Sequence, residues 1–581
     1  MGFSGTDAGG FKWEGFQSGA PNQSNQPNMG RREQKPKKPR KAVGTPFTRV
    51  LINLGVTLLV GLVYFYVELP AINLKNPDFY AFAFLLCAVY CVCAIITSGF
   101  QGEGVKNYFS FLKKQCAVPF FLAAALVVIA LVGSVAGSVL FRAGAYSKLL
   151  TFETGNFATD VAEVSYDQVP MLDRASAERL GDRKLGELSD MVSQFEVMDD
   201  YTQINYQGRP VRIATLMYAD VIKWFTNRGD GLPTYLIVDM VDQNVELVRL
   251  EEGIKYTTAE HFGRNLYRHL RFNYPTYMFD DPVMEVDEEG TPYWICPRLV
   301  KTIGHFSGRD IQGAVMVNAI TGESEYLQEV PSWVDNLYNA DLIMEQYDYY
   351  GLYHNGFFNS IFGQKEVTVT TSGYNYLAMG DDVYVYTGIT STGGDQSNIG
   401  FILTNQRTKE TTYYNCAGAT EYSAMDSAEG ELQNLRYEAT FPLLLNVGGQ
   451  PTYFMAMKDA AQLVKKYAMV NVQQYHIVAT GDTVGECEKN YLELLSANGV
   501  VSGDANLFGT EVVEGTIADI RSAVQDGNSV YYFQLIGEKP YYAITAVEQP
   551  LAVILSKGDQ VSITYRPGEG AILSAVAIQL R

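Results

Sequence analysis

Residues 313–327 read GAVMVNAITGESEYL, and residues 400–414 read GFILTNQRTKETTYY. The two stretches align without a gap. Each begins with an alternating apolar run, which predicts a half-buried strand, and each continues into a turn that contains Asn318 or Asn405. The chain therefore contains the same strand and turn at least twice.

The same pattern recurs at two further places. A glycine turn precedes a strand at four positions, and each is followed by an alternating strand that ends in Asp or Asn. The four pairs are Gly208 and Asp239, Gly290 and Asn318, Gly380 and Asn405, and Gly449 and Asn471. Asn and Asp bond to their own backbone in tight turns and glycine adopts positive φ, so these residue types serve a structural role. We expect four copies of one hairpin-based unit.

A helix is predicted in front of each unit, over 175–195, 259–272, 332–351 and 421–435, with a linker helix over 486–499. The third has the clearest start, because Ser332 with Asp335 three residues later resembles a capping box. Helices that alternate with antiparallel strands indicate the α+β class.

Three uncharged runs precede these units, at 50–67, 79–102 and 115–141. Each is near or above the roughly 18 to 20 residues that a membrane-spanning helix needs. Three buried helices of a soluble domain are the alternative, but such helices rarely stay uncharged around their whole circumference. The runs predict three transmembrane helices.

Basic residues predict the orientation of these helices. The stretch 31–41 is rich in Lys and Arg, and Lys106, Lys113 and Lys114 lie between the second and third runs, whereas the first loop has only Lys75. The positive-inside rule therefore predicts a cytoplasmic N-terminus and an extracytoplasmic location for residues after about 142.

Composition excludes some functions for the C-terminal part. The formal net charge is −20, and the excess of acidic residues lies in the part after residue 142. A strongly negative surface repels phosphate groups, so this part is not expected to bind nucleic acid. Cys296, Cys416 and Cys487 form no C-x-x-C motif, which indicates a domain held by its cores, as in a Gram-positive cell envelope. No metal, phosphate-loop or nucleophile motif is present, so neither a cofactor nor catalysis is expected. A hydrolase with an unrecognised site is the other alternative, because the residues of a catalytic triad can lie far apart in the sequence and come together only in the folded protein.

Two segments are candidate sites. Residues 279–290, FDDPVMEVDEEG, form either a polar hairpin tip or a weak cation site, although the EF-hand spacing is absent. Residues 345–363 are rich in aromatic side chains and form either a core between units two and three or a contact surface. The candidate interaction residues are Tyr347, Tyr349, Tyr350, Tyr353, Phe357 and Phe358.

The C-terminal segment 512–579 predicts five strands with a short helical stretch before the fourth, an order that resembles an OB-like barrel. The helix, the strand YWICPRL and the stretch GAVMVNAITGESEYL resemble a PepSY-type domain, which commonly has Asp where Asn318 stands. The resemblance is good for 258–327, partial for 366–415 and weak in units one and four. It implies a noncatalytic module, often linked to restraining or sensing proteases, with no catalytic residues to transfer.

The expected layout is a disordered cytoplasmic tail, three transmembrane helices, four PepSY-like units and an OB-like barrel. The tail covers 1–46, the membrane helices 47–142, unit one with its connector 143–255, unit two 256–330, unit three with its helical connector 331–418, unit four 419–482, the linker helix 483–505 and the barrel 506–581. The expected function is binding or scaffolding of an envelope protein or peptide beside the lipid bilayer. A homo-oligomeric structural role is the alternative.

Overall fold

The computed structural model describes residues 42–99, 105–163, 169–170, 172–188, 191–393, 397–501, 511–525, 528–547, 549–565 and 570–581. It is 33% helical and 36% strand, which confirms a mixed helix and sheet protein. Most of the predicted tail lies outside the described residues.

The N-terminal part is helical, with α1 Pro46–Glu68, α2 Pro77–Ser98, α3 Val105–Gln115, α4 Ala117–Ala136 and α5 Val139–Tyr146. Helices α1, α2 and α4 are long and apolar enough to cross a membrane, as predicted. Many of their apolar side chains are exposed, as lipid contact requires; Leu58 is one example and Phe121 another. The Asn53 side-chain amide donates to the Thr97 hydroxyl at 3.0 Å, and this bond joins α1 to α2.

Four units follow a short connector, and each contributes five strands to a sheet of its own. The connector contains β1 Glu153–Gly155 and α6 Phe157–Asp160. Unit one contains α7 Arg174–Gly186, β2 Phe195–Val197, β3 Thr202–Tyr206, β4 Arg209–Tyr218, α8 Val221–Asn227, β5 Leu232–Asp239 and β6 Val245–Ile254. Unit two contains α9 Leu266–Asn273, β7 Met278–Phe279, β8 Val283–Val286, β9 Pro292–Ile303, β10 Ser307–Asn318 and β11 Ser324–Leu327.

Units three and four are built from the same elements. Unit three contains α10 Ala340–Tyr353, β12 Thr368–Thr370, β13 Asn375–Met379, β14 Asp382–Ser391, β15 Ser397–Asn405 and β16 Thr411–Ala419. Unit four contains α11 Glu421–Glu431, β17 Glu438–Ala439, β18 Leu443–Val447, β19 Gln450–Lys458, β20 Val464–Asn471 and β21 Val478–Gly481, followed by α12 Val484–Ala497.

All four sheets have one strand order. Unit one has the order β2-β4-β5-β6, with β3 also paired to β4. Unit two repeats this order as β7-β9-β10-β11, with β8 also paired to β9. Units three and four have β12-β14-β15-β16 with β13 on β14, and β17-β19-β20-β21 with β18 on β19. Strand β1 extends the third sheet by pairing parallel to β16.

The same turn chemistry closes each unit. Gly208, Gly290, Gly380 and Gly449 all have positive φ and precede the long strands β4, β9, β14 and β19. The Oδ1 atoms of Asp239, Asn318, Asn405 and Asn471 each accept backbone N–H groups from the residues two and three positions later. Side-chain bonds of this kind replace ladder bonds where a strand must stop. The four units therefore share sequence pattern, topology and turn geometry.

The units pack in pairs. Units one and two share one hydrophobic core, which includes Tyr235 and Trp294, and units three and four share another, which includes Phe401 and Tyr453. Helix α10 joins the pairs, because Leu342 packs on unit two while Ile343 packs on unit three. All seven cysteines are free, so packing holds the sheets together without disulfides.

Helix boundaries differ from the sequence predictions. Helix α10 begins at Ala340, where Asn339 Oδ1 accepts the Leu342 N–H at 2.8 Å, so the capping box at Ser332 is wrong. Helix α7 ends at Gly186, since the apolar residues from Phe195 form strand β2 instead. Helix α9 begins only at Leu266.

The C-terminal part is a closed five-stranded barrel. Its strands are β22 Glu511–Gln525, β23 Asn528–Leu535, β24 Tyr541–Thr545, β25 Gln560–Tyr565 and β26 Ile572–Leu580. They close in the order β22-β23-β24-β26-β25, with β24 parallel to β26. A short 3-10 helix, Pro550–Val553, precedes β25.

Candidate functional site

The aromatic segment divides between a core and a surface. Tyr347 is 2% exposed and belongs to the core that joins α10 to unit three, so it is not a surface residue. Tyr349 and Tyr353 are partly buried against Tyr146 of α5, with ring centroids 4.7 and 6.4 Å apart. Tyr350 packs edge-on against Phe152. The helical half of the segment therefore has a packing role.

The residues after α10 form an exposed apolar end. Phe357 stacks on Tyr353 and contacts Phe358, and Phe358 stacks on Phe362 at 6.5 Å. The exposed fractions are 65% for Phe358, 50% for Ile361 and 80% for Phe362. We call Phe358, Ile361 and Phe362 the apolar tip. Sequence reasoning found Phe358 but missed the other two members.

The turn between β9 and β10 contacts two membrane helices. Gly304 has φ +59°, and a Cβ there would lie 2.5 Å from the Cα of Gly137, so glycine is required for this approach. The His305 Nε2 lies 3.0 Å from the Tyr80 hydroxyl of α2, and His305 packs closely on Gly133 of α4.

The loop between α1 and α2 also binds unit two. The Ile72 N–H donates to the Pro275 carbonyl at 2.8 Å, and Lys75 Nζ donates to the Lys301 carbonyl at 2.7 Å. The Arg271 Nε donates to the Leu69 carbonyl at 2.8 Å. Unit two is therefore fixed to the end of the helix bundle by several direct hydrogen bonds.

The acidic segment 279–290 is a structural hairpin. Asp280 pairs with Arg309 at 3.3 Å, and Asp287 Oδ1 accepts the Thr291 N–H at 2.7 Å, while Glu288 and Glu289 are exposed. Within the described residues, His, Cys, Asp and Glu side chains form no group able to hold a metal ion.

Glu285 of this hairpin belongs to a buried acid pair. It is fully buried, and its carboxylate accepts the N–H groups of Asp335 and Asn336, both at 2.8 Å. Asp335 is 1% exposed and accepts the Asn205 N–H at 2.6 Å. Burial raises the pKa of Glu285, and burial together with the neighbouring Glu285 carboxylate raises the pKa of Asp335. The pair lies where units one, two and three meet.

A cavity lies where units one, three and four meet, and it is lined by Asp173, Arg212, Tyr376, Phe441 and Phe454, among others. Arg212 on β4 is 8% exposed, and its Nη2 donates to Gln203 Oε1 at 3.3 Å. Lys458 Nζ donates to Asp173 at 2.6 Å and to the Ser176 hydroxyl at 3.0 Å. Burial lowers the pKa of Arg212 to about 10, so its guanidinium stays charged at neutral pH.

Comparisons with known proteins give no relationship: no family model matches the sequence, and no curated protein matches it significantly.

Sequence reasoning missed the acid pair and the cavity, although each left a local signal. Glu285 interrupts the apolar strand VMEV, and Arg212 interrupts the apolar strand of unit one. A lone charge within a strand that is apolar on both faces indicates a buried ionisable group. The partners of Glu285 come from the segment before α10, and units three and four complete the cavity beside Arg212. The pattern along one strand does not identify such distant residues.

Proposed function

We propose that the protein is a membrane-anchored, extracytoplasmic binding or scaffold protein that contacts another envelope protein or peptide and restrains or senses it without catalysis. The observation that carries this proposal is the apolar tip. Phe358, Ile361 and Phe362 are half or more exposed although they adjoin one another. Adjoining exposed apolar side chains mark interaction surfaces, and aromatic residues dominate binding energy there.

The attachment of the sheets to the membrane helices supports a scaffolding role. Unit two is hydrogen-bonded to the loop between α1 and α2, so the sheets are held at a defined place beside the bilayer. The basic residues around 31–41 and at Lys113 and Lys114 favour a cytoplasmic N-terminus, and the sheets then lie outside the membrane.

The finer domain assignments are part of the proposal. A PepSY-like identity for the units is supported by their helix and antiparallel sheet and by the turn at Asn318. An OB-like identity for the barrel is supported by five strands closed in the order β22-β23-β24-β26-β25, with a helical turn before β25. Both are noncatalytic modules in this proposal.

Homo-oligomerisation through α4 is less favoured. The small residues Gly133 and Gly137 suit close helix packing in a membrane. Both, however, contact the β9–β10 turn of the same chain, since His305 packs on Gly133 and Gly304 on Gly137. The surface that a second α4 needs is thus already covered.

Site-specific photocrosslinking tests the proposal. A photoreactive phenylalanine analogue is placed at Phe362 and, as a matched control, at Leu463, an exposed apolar residue in a hairpin of unit four. The proposal predicts a heterologous envelope protein or peptide crosslinked from position 362 and absent from position 463. Crosslinks only between copies of this chain indicate a homo-oligomer, and identical products from both positions contradict a specific surface.

A further inference from the structure

Arg212 is a buried cation whose charge is not neutralised by any side chain that the structure describes beside it. Among the described residues its Nε has no hydrogen-bond partner, and its only side-chain bond is to the neutral Gln203. Gln203 Nε2 also has no partner among them. An unpaired guanidinium is costly to bury, so a buried arginine is normally matched by an anion.

The charged side chains described on the cavity wall do not provide that anion. Asp173 is the carboxylate on the wall that favours the charged form of Arg212, but it is bound to Lys458, whose side chain is 6% exposed. Arg174 also lines the cavity and pairs with Glu178 at 2.9 Å. Counted over the part of the chain that the structure describes, one carboxylate serves two buried cations, which leaves a net positive charge inside a strongly acidic protein.

Beside polar residues such as Asn375 and Thr440, the wall contains aromatic and apolar side chains. Phe441 and Phe454 from unit four and Tyr376 from unit three line the cavity, which has a volume of about 310 Å³. That volume lies at the lower end of the range for small-molecule sites, which combine apolar walls with a few placed polar groups.

We propose that this cavity binds a small ligand that carries one carboxylate and an apolar group, such as a blocked amino acid or the C-terminal residue of a peptide. The carboxylate accepts hydrogen bonds from the Arg212 guanidinium, which matches carboxylates in a planar fork. The apolar group packs on Phe441 and Phe454. Asp173 on the same wall repels a second negative charge, so the site disfavours a phosphate dianion. The inference does not rest on the apolar tip being a partner surface.

Binding of N-acetyl-L-phenylalanine to the full-length protein in detergent micelles tests the proposal by isothermal titration calorimetry. N-acetyl-L-phenylalanine amide is the neutral control, and inorganic phosphate is the anion without an apolar group. Arg212→Met removes the charge at similar length, and Arg209→Met is the matched control, because Arg209 lies on the same strand but is exposed and paired with Asp239. We expect saturable binding to wild type and to Arg209→Met, and binding at least about tenfold weaker for the amide and for Arg212→Met.

Several results overturn the proposal. The first two are equal binding of the acid and the amide, and equal binding by wild type and Arg212→Met. The third is phosphate binding as tight as that of the blocked amino acid. The fourth is no binding at about 10 mM ligand, a concentration tenfold above a Kd of about 1 mM. The comparison of acid and amide uses wild type alone, so it decides the matter even if Arg212→Met does not fold.

Discussion

Replacing Asp335 by Asn should make the protein more stable at neutral and alkaline pH. Glu285 and Asp335 are both buried, and their carboxyl groups interact, so the two do not ionise together easily. Glu285 accepts three hydrogen bonds, from the Asp335 N–H and from the Asn336 N–H and side-chain amide, whereas Asp335 accepts one from Asn205. The structure therefore favours Glu285 as the anion and Asp335 as the group that keeps its proton. Asp381 and Asp382 raise the pKa of Asp335 further in the same direction.

The sign of the pH dependence follows from this retained proton. Both folded pKa values are raised above the ordinary values of 4.5 and 3.8, so the native state binds a proton that the unfolded chain has released. The resulting stability is complete below about pH 4 and is lost as the pH rises towards the folded pKa values. One extra bound proton makes the free energy of unfolding fall by about 1.4 kcal/mol per pH unit, or about 2.7 kcal/mol from pH 5 to pH 7.

The assay is denaturant unfolding of the full-length protein in detergent at pH 5, 6, 7 and 8, followed by tryptophan fluorescence. Trp333, whose ring lies 5.5 Å from that of Tyr293, reports on this junction. In Asp335→Asn, the fall in the free energy of unfolding between pH 5 and pH 7 should be smaller than in wild type by at least about 1.4 kcal/mol. Glu288→Gln, which changes an exposed carboxylate of the same hairpin, should leave the profile unchanged. Parallel profiles for wild type and Asp335→Asn would refute the assignment of a retained proton.

Three further predictions concern packing and attachment. Tyr347→Ala should lower the free energy of unfolding, measured with denaturant, by about 3–5 kcal/mol because its ring is buried in a core. Phe362→Ala should change it by no more than about 0.5 kcal/mol because its ring is exposed. Equal losses would contradict the division of the aromatic segment into a core and a surface. Gly304→Val should separate the sheets from the helices, because a side chain at this position collides with Gly137. Limited proteolysis should then cut faster between α5 and unit one, while cleavage at tryptic sites in the barrel is unchanged. An unaltered digest would contradict the close contact at Gly137. Asn471→Ala should cost about 1–2 kcal/mol, since two backbone N–H groups lose their acceptor; an unchanged unfolding midpoint would show that the turn needs no side chain.

Much of the local structure could be predicted because its causes are local. The three apolar runs predicted α1, α2 and α4, since length and absence of charge decide membrane insertion. The glycine turns marked the starts of β4, β9, β14 and β19, and the Asn or Asp turns marked the ends of β5, β10, β15 and β20. Both could be predicted because positive φ and side-chain capping depend on the residue itself.

Boundaries and sites that depend on distant contacts were not predicted. Ser332 and Asp335 have the spacing of a capping box, but the Asp335 carboxylate accepts an N–H of unit one. The helix begins at Ala340 instead, with Asn339 as its N-cap. The sequence of 279–290 predicts a polar hairpin tip or a weak cation site, yet Glu285 is buried because unit one and the segment before α10 cover it. The cavity beside Arg212 needs three units, and no single stretch of sequence contains it.

The most direct test of the proposed binding role compares tagged wild type with a Phe358→Ala, Phe362→Ala double variant after crosslinking in cells of the native host and quantitative mass spectrometry. The proposal predicts one envelope protein or peptide enriched with wild type and lost with the double variant, at equal expression and unchanged unfolding. Equal enrichment with both proteins, or recovery of this chain alone, would contradict a partner-binding function of the apolar tip.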